Sequence, residues 1–386
     1  MHLSEILIHL GEEREKYFNA VSPPVIQSSN FVFKDLAAFR QAFSSELDNH
    51  VYTRGNNPTV AILRKKVAAL EGAEDALIFG SGSAAVANAV LSQVQAGDHI
   101  VCVESPYSWT KTLLQQFLMR FGVSHTYVDG RDLGKIEAAI QGNTRLLYLE
   151  SPNSLTFAIQ DLEACAKLAK AKNITTIIDN SYASPIFQQP ILHGIDLVVH
   201  SATKYLNGHS DVVAGVVCGS KEKIQKIFAE EFMTLGGIIS PHDAALMIRG
   251  LRTLELRMHR SDQSSRKIAA FLEQQPQIEQ VLHPLLPSFP QYELASKQMK
   301  GTGGLFSAYL NAASKQDMEQ FVHRLKRFLM AVSWGGHESL ILPSIGFYDI
   351  PGRENSPLPW NLVRFYIGLE DPDWLIEDLT QALQVL

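Results

Sequence analysis

The sequence predicts an α/β fold with a mostly parallel central sheet and a second, smaller α+β domain. Between residues 76 and 219, short apolar runs alternate with helical patterns, which is typical of βαβ units whose sheet is covered on both faces. From about residue 245 the pattern changes to a long helical stretch followed by more widely spaced strands. A chain of 386 residues is also long enough for roughly two or three domains.

We therefore divide the chain into an arm (residues 1–55), a large domain (56–244) and a C-terminal domain (245–386). The paired prolines and polar residues of "SPPVIQSSNFVF" indicate that the first part is an irregular arm. The predicted strands are 76–79, 99–104, 145–150, 174–179, 195–199 and 212–219, then 304–310, 331–334 and 362–369. The predicted helices are 60–72, 83–95, 110–121, 132–141 and 161–172, then 244–276, 315–329 and 372–385.

Composition argues against several classes of protein. The net charge of −6 and the lack of a basic stripe disfavour a nucleic-acid-binding protein. No apolar run is long enough for a membrane span, and the first residues do not resemble a signal peptide. Three cysteines without paired spacing favour a reduced, cytoplasmic protein, and thirteen histidines without ligand spacing predict no metal.

Residues whose side chains or amides can bind a cofactor or react with a substrate follow several of the predicted strands. In parallel sheets, ligands bind at the carboxyl ends of the strands. The loop "GSGSAA" opens a helix after the first strand, where glycines and a helix N-terminus favour a phosphate group. The other strand ends carry Tyr107, Asp179 and, in the stretch "VHSATKY", Ser201, Thr203 and Lys204.

Pyridoxal 5'-phosphate needs all of these groups. Its aldehyde forms a Schiff base with a lysine, here Lys204, and its ring nitrogen needs an acidic partner, here Asp179. Tyr107 would stack on the ring, while Ser201 and Thr203 would bind the phosphate beside the glycine loop. The sequence therefore predicts a pyridoxal-phosphate enzyme.

Two other interpretations share these residues. The glycine loop also fits the dinucleotide fingerprint G-x-G-x-x-A, with Glu104 about 20 residues on, so a Rossmann-type oxidoreductase is an alternative. Ser201 to Lys204 fits S-x-x-K of penicillin-recognising serine enzymes, but the S-D-N and K-T-G motifs that should accompany it are missing.

The chain resembles the Cys/Met-metabolism family of pyridoxal-phosphate enzymes, which have the fold of the aspartate aminotransferase type (fold type I). The family includes cystathionine β-lyase, cystathionine γ-synthase, cystathionine γ-lyase and methionine γ-lyase. The matching segments, in order, are "YTRGNNPT", "SGSAA", "IDNSYASP", "HSATKYLNGHSDVVAGVV", "SPHDAALMIRGLRTLELRM", "SWGGHESL" and "VRFYIGLED".

The resemblance implies further roles. Lys204 and Tyr107 would be catalytic, and residues 56–244 would form the cofactor-binding domain. Homo-oligomers, commonly tetramers built from dimers with shared sites, are implied, with the arm reaching the neighbouring subunit's site. The implied cofactor contacts add Tyr52, Arg54, Gly82 and Ser83, and the implied contacts with an amino-acid thioether substrate are Arg364, Ser333, Tyr52 and Trp334.

Different residues favour different substrate carbons, Cβ or Cγ, as the site of bond cleavage. Val332 is closer to methionine γ-lyase, but Trp109 replaces the cysteine that those enzymes carry. Trp334 in "SWGG" and Ser154 in "ESPNSLTF" resemble bacterial β-lyases. We therefore expect β-elimination of L-cystathionine to homocysteine, pyruvate and ammonia, with γ-synthase or γ-lyase activity as the alternative.

Overall fold

The structure, a computed structural model, describes residues 1–352 and 354–386 and contains two sheets. The larger has seven strands in the order β1-β7-β6-β5-β4-β2-β3. Its strands are β1 (Asp75–Phe79), β2 (His99–Val103), β3 (Ser124–Val128), β4 (Thr144–Glu150), β5 (Thr175–Asp179), β6 (Leu197–Ser201) and β7 (Gly215–Gly219). All neighbours pair in parallel except β7, which lies antiparallel between β1 and β6.

The larger sheet is buried on both faces. Alternate residues along a strand enter different apolar clusters, as in β4, where Leu147 and Leu149 pack on one side and Leu146 and Tyr148 on the other. This double burial is why the strands appear in the sequence as continuous apolar runs rather than as alternating ones.

The smaller sheet has five strands in the order β10-β11-β12-β9-β8, antiparallel except for the β10–β11 pair. Its strands are β8 (Ile278–Leu282), β9 (Leu305–Leu310), β10 (Leu329–Met330), β11 (Leu340–Pro343) and β12 (Leu362–Tyr366). A third apolar cluster joins this sheet to helices of the C-terminal part of the chain. The predicted α/β fold with a second, smaller α+β part is confirmed.

The helices have local sequence signals at their ends. The helix that precedes β1 starts after Asn57, whose side chain accepts a hydrogen bond from Thr59 N, and stops at Gly72 with φ of 70°. The α-helices are α1 (Leu3–Ile8), α2 (Leu36–Ser44), α3 (Pro58–Glu71), α4 (Gly82–Leu91), α5 (Ser108–Thr112), α6 (Leu133–Ala139), α7 (Leu162–Ala171), α8 (Ser184–Phe187), α9 (Lys221–Ile227), α10 (Met233–Leu235), α11 (Pro241–Leu251), α12 (Leu254–Glu273), α13 (Tyr292–Gln298), α14 (Lys315–Arg324) and α15 (Pro372–Leu383). Short 3₁₀ segments are Arg14–Tyr17, Leu118–Phe121, Pro190–His193 and Ser344–Phe347, and π-helical segments are Leu113–Phe117 and Phe228–Phe232.

Some predicted elements are wrong. Strand β3 is not predicted because it is a half-exposed edge strand with the mixed sequence "SHTYV". Strands β8, β10 and β11 are also absent from the prediction. The predicted helix 244–276 is two helices, α11 and α12. Residues 331–334 are not a strand, because the backbone leaves the extended region at Ser333 with φ of 81°.

The arm is more ordered than expected. Helix α1 is anchored by Lys66, whose buried Nζ donates hydrogen bonds to the carbonyls of Ile6 and Leu7 and pairs with Glu12 at 3.2 Å. The domain boundaries at residues 55 and 244 stay predictions. Within the described ranges, none of the helices combines the length and apolar character that crossing a membrane requires.

Candidate active site

The site lies where neighbouring parallel strands of the larger sheet end. Glu150 at the end of β4 pairs in register with Asp179 at the end of β5, and Asp179 pairs with Val199 of β6. Strand β6 then continues to Ser201 and the turn that carries Lys204. Because these strands run in the same direction, the three ends meet at one edge of the sheet, as the sequence predicted.

Lys204 is held at this edge with a largely buried amine. Its Nζ donates a hydrogen bond of 2.6 Å to Ser333 Oγ and lies 5.6 Å from the ring centre of Trp334. Burial and, as a smaller cause, the Arg364 charge lower the pKa of Lys204 to about 8, while the charge of Asp179 opposes the shift. An amine with this pKa is partly neutral near physiological pH, which a nucleophile or a base requires.

Arg364 is a buried cation next to Lys204. It is 8% exposed, and its guanidinium donates to the carbonyl oxygens of Ser333 at 3.2 Å and Ser154 at 3.4 Å. Burial lowers its pKa to about 10. Among residues 1–352 and 354–386, no carboxylate lies within ion-pair distance of it, so this guanidinium is available to an anionic ligand.

Ser333 connects the two cations. It accepts a hydrogen bond from Lys204 through Oγ and from Arg364 through its carbonyl oxygen. Its φ of 81° is rare for a residue other than glycine and is a strained conformation of a kind that is concentrated at functional sites.

Asp179 presents one free oxygen. Oδ1 accepts hydrogen bonds from Ser181 N at 2.9 Å and Ser181 Oγ at 2.6 Å. No hydrogen bond between described residues uses Oδ2. Burial raises the pKa of Asp179, while the Ser181 bonds and the charges of His200 and Lys204 oppose that rise. The Ser181 bonds therefore fix the orientation of the carboxylate, and Oδ2 can accept a hydrogen bond from a cationic partner.

The glycine loop meets Ser201 at the start of α4. A Cβ on residue 82 would lie 2.9 Å from Ser201 Cβ, so only glycine allows this approach. Within the described part of the chain, the amides of Gly82 and Ser83 and the hydroxyl of Ser201 have no hydrogen-bond acceptor. Three donors therefore converge at a helix N-terminus, which is suited to a phosphate group.

Thr203 is placed beside this cradle but is already bonded. Its hydroxyl donates to Ala214 O at 3.2 Å and accepts from Ala214 N at 3.0 Å. Thr203 would have to redirect its proton to bind a phosphate, so its predicted role is less direct than that of Ser201.

Tyr107 lies beside this end of the sheet and is 42% exposed. Burial raises the pKa of its hydroxyl, and the nearby side chain of Ser83 opposes the rise. Its backbone N–H donates to Glu150 Oε2 at 2.7 Å. The sequence analysis did not identify Glu150. The residue ends an apolar run in the same way as Asp179 does, and this position could have indicated that it belongs to the site.

The remaining predicted residues are placed differently. Tyr52 and Arg54 are exposed and contact each other, with Arg54 5.5 Å from the Tyr52 ring centre. None of the contacts described within this single chain connects them with Lys204. Trp334 is buried against Tyr205, at 5.3 Å between ring centres, so most of its surface faces the protein.

Comparison with known proteins agrees with this geometry. The model of the family described as Cys/Met metabolism PLP-dependent enzyme matches residues 4–384. L-methionine gamma-lyase of Treponema denticola is 39% identical over 98% of this chain and 96% of its own length. Cystathionine gamma-lyase of Macaca fascicularis is 38% identical over 99% of this chain and 94% of its own.

A solved structure gives the same result for the fold. The crystal structure of metB from Corynebacterium glutamicum superposes with a TM-score of 0.92 at 36% identity, covering 100% of this chain and 98% of that chain. The predicted fold type is confirmed, and the Rossmann-type and penicillin-recognising alternatives are wrong.

The residues present fit pyridoxal phosphate. The cradle of Gly82, Ser83 and Ser201 offers donors for a phosphate, Asp179 offers an acceptor for a ring nitrogen, and Lys204 offers an amine. Site geometry, family match and fold thus agree. The chain belongs to the Cys/Met metabolism family of pyridoxal-phosphate-dependent enzymes.

Proposed function

We propose that this protein is a carbon–sulfur lyase that catalyses γ-elimination from L-amino-acid thioethers, releasing a thiol, ammonia and 2-oxobutyrate. The observation that carries the proposal is the Lys204–Ser333–Arg364 arrangement: a buried guanidinium with which no described carboxylate pairs, joined through one serine to an amine of lowered pKa. An α-amino acid has the matching groups, because its carboxylate can pair with the guanidinium and its Cα carries the proton that the amine would remove.

Arg364 would bind the substrate α-carboxylate as a bidentate ion pair. Its fixed position, bonded to the carbonyls of Ser333 and Ser154, would place the α-carbon near Lys204 Nζ. The substrate carboxylate would also supply the counter-charge that no described residue gives Arg364, which favours substrate over water in this buried position.

Lys204 would carry the proton transfers. With a pKa of about 8, its amine can accept a proton from Cα and return it to a neighbouring carbon without a large free-energy cost. Bound pyridoxal phosphate supplies an electron-withdrawing ring for the charge that develops at Cα. Asp179 would keep the ring nitrogen protonated through its free Oδ2, and Tyr107 would cover one face of the ring.

γ-Elimination requires the base to remove two protons, whereas β-elimination requires it to remove one. A proton must leave Cα and then Cβ before a thiolate can leave Cγ, whereas β-elimination needs only the first removal. The named γ-lyases align with this chain almost end to end, which favours the γ-carbon. This interpretation replaces the β-elimination that the sequence analysis expected.

β-Elimination of L-cystathionine remains a second candidate because of Trp334. The buried indole lies against Lys204 and Tyr205, and the resemblance places a tryptophan there in bacterial β-lyases. Trp109, which is exposed and lies two residues beyond Tyr107, stands where the resemblance places a cysteine in methionine γ-lyases.

We also propose that the active site is completed by a second copy of the chain. Tyr52 and Arg54 are exposed, do not contact Lys204 within their own chain, and match residues that reach a neighbouring subunit's phosphate in the family. A homodimer with shared sites follows from this assignment, and the tetramer that the resemblance implies would be built from two such dimers.

The test is to incubate the purified, cofactor-loaded protein with L-cystathionine and with L-methionine and to identify the keto acid. 2-Oxobutyrate, with cysteine or methanethiol as the thiol, supports γ-elimination. Pyruvate with homocysteine contradicts γ-elimination and supports the second candidate. The Lys204→Ala protein is the control for uncatalysed breakdown, and a protein that forms no keto acid from either substrate would refute the lyase assignment.

A further inference from the structure

Glu150 is a buried carboxylate that the proposed mechanism does not use. It is 5% exposed at the end of β4, in register with Asp179 on the neighbouring strand. No cation among residues 1–352 and 354–386 pairs with it. A second buried acid beside Asp179 is unfavourable unless its oxygens are engaged, so its place in the site needs a reason.

Two backbone amides from different loops hold this carboxylate. Tyr107 N, in the loop after β2, donates to Oε2 at 2.7 Å. Ser154 N, in the loop after β4, donates to Oε1 at 3.3 Å. Ser154 in turn offers its carbonyl oxygen to Arg364 at 3.4 Å, so Glu150 connects the loop of Tyr107 with the loop that supports Arg364.

Both oxygens must be acceptors for this arrangement to hold. A glutamine would turn an NH₂ group toward one of the two N–H groups and would leave that amide without a partner. Burial and the nearby charge of Asp179 raise the pKa of Glu150 to about 8, and the two amide bonds oppose the rise. Since both oxygens face backbone donors, neither is directed at a substrate proton.

We propose that Glu150 is a positioning residue that fixes the backbone of Tyr107, and thereby the plane in which the Tyr107 ring covers the cofactor. The proposal deepens the proposed function and rests on the stacking role assigned to Tyr107 there. Glu150 acts through Tyr107 and does not contact substrate or cofactor itself.

The test is a double-mutant cycle read out as the dissociation constant of pyridoxal phosphate, measured from its visible absorption in titrations of cofactor-free protein. At pH 9, above the pKa of about 8 and therefore with Glu150 ionised, we expect Glu150→Gln to weaken cofactor binding about tenfold, which is the loss of one charge-assisted hydrogen bond. In a Tyr107→Ala background, the same substitution should have no further effect, because the ring that Glu150 positions is gone.

The matched control is Asp262→Asn, which removes another buried carboxylate, one that is bonded to Thr302 and Arg266. It should lower thermal stability and leave the cofactor dissociation constant unchanged. If Glu150→Gln does not fold, Glu150→Asp, which keeps the charge but shortens the side chain, is tested by the same cycle.

The outcomes separate the two proposals. Equal weakening by Glu150→Gln with and without the Tyr107 ring, or no weakening at all, overturns the positioning role of Glu150. If Tyr107→Ala alone leaves cofactor binding unchanged, the stacking role of Tyr107 is wrong, and the positioning role fails with it for that separate reason.

Discussion

The Lys204 amine should react with pyridoxal phosphate at a much lower pH than an ordinary lysine does. Its pKa is about 8 against the ordinary 10.5, mainly because it is buried. At pH 7 this difference leaves about 300-fold more of the amine neutral than in an unperturbed lysine. The rate at which cofactor-free protein captures pyridoxal phosphate should therefore rise with pH and reach half its plateau near pH 8.

Replacing Arg364 by glutamine should move this midpoint upward. The arginine charge is the second cause of the lowered pKa, after burial, so its removal favours the protonated amine. The midpoint should stay below 10.5 because the larger cause, burial, remains. Each unit of upward movement reduces the neutral fraction at pH 7 about tenfold. Asp179→Asn should move the midpoint the other way, since Asp179 favours the charged amine.

The assay is stopped-flow absorption of cofactor capture across a range of pH. Nα-acetyl-lysine amide in the same buffers corrects for the ionisations of the cofactor itself. A wild-type midpoint near that of the free lysine derivative, or an unchanged midpoint in Arg364→Gln, would show that the electrostatic reasoning is wrong.

Two further predictions concern the cradle and the shared site. Gly82→Ala should weaken cofactor binding by about 1–3 kcal/mol in a calorimetric titration, because the added Cβ would collide with Ser201. The control is Gly142→Ala, which has open space around the added Cβ and should bind the cofactor as the wild type does. Equal affinities of the two variants would contradict the phosphate-binding role of the glycine loop. Tyr52→Ala and Lys204→Ala chains should each be impaired alone, but coexpression should recover about a quarter of wild-type activity. About half of the dimers would be mixed, and each mixed dimer would contain one intact site of two. No recovery would show that the sites are not shared.

The candidate site was partly predictable because strand ends are local features. Asp179, Ser201 and Lys204 each follow an apolar run, and the direction of parallel strands is enough to place them together. Arg364 and Ser333 could be assigned only through the resemblance. Ser333 lies 129 residues from Lys204 in sequence, and no local pattern connects the two.

The contacts of Glu150, unlike its position at the end of an apolar run, could not be predicted. Its partners are backbone amides of Tyr107 and Ser154, and backbone atoms leave no residue-specific signal in a sequence. Strand β3 was missed for a related reason, since an edge strand with one half-exposed face has no continuous apolar run.

The sequence by itself determined the alternation of strands and helices, the end of a helix at Gly72, and the lysine, aspartate and glycine loop that indicate the cofactor. These depend on periodicity and on residue types at short range. Only the tertiary structure decided that, among the residues it describes, no carboxylate pairs with the Arg364 guanidinium, that Lys204 is buried next to it, and that Glu150 bridges two loops. Burial and charge pairing depend on which distant segments pack together, and that packing alters the chemistry of these side chains.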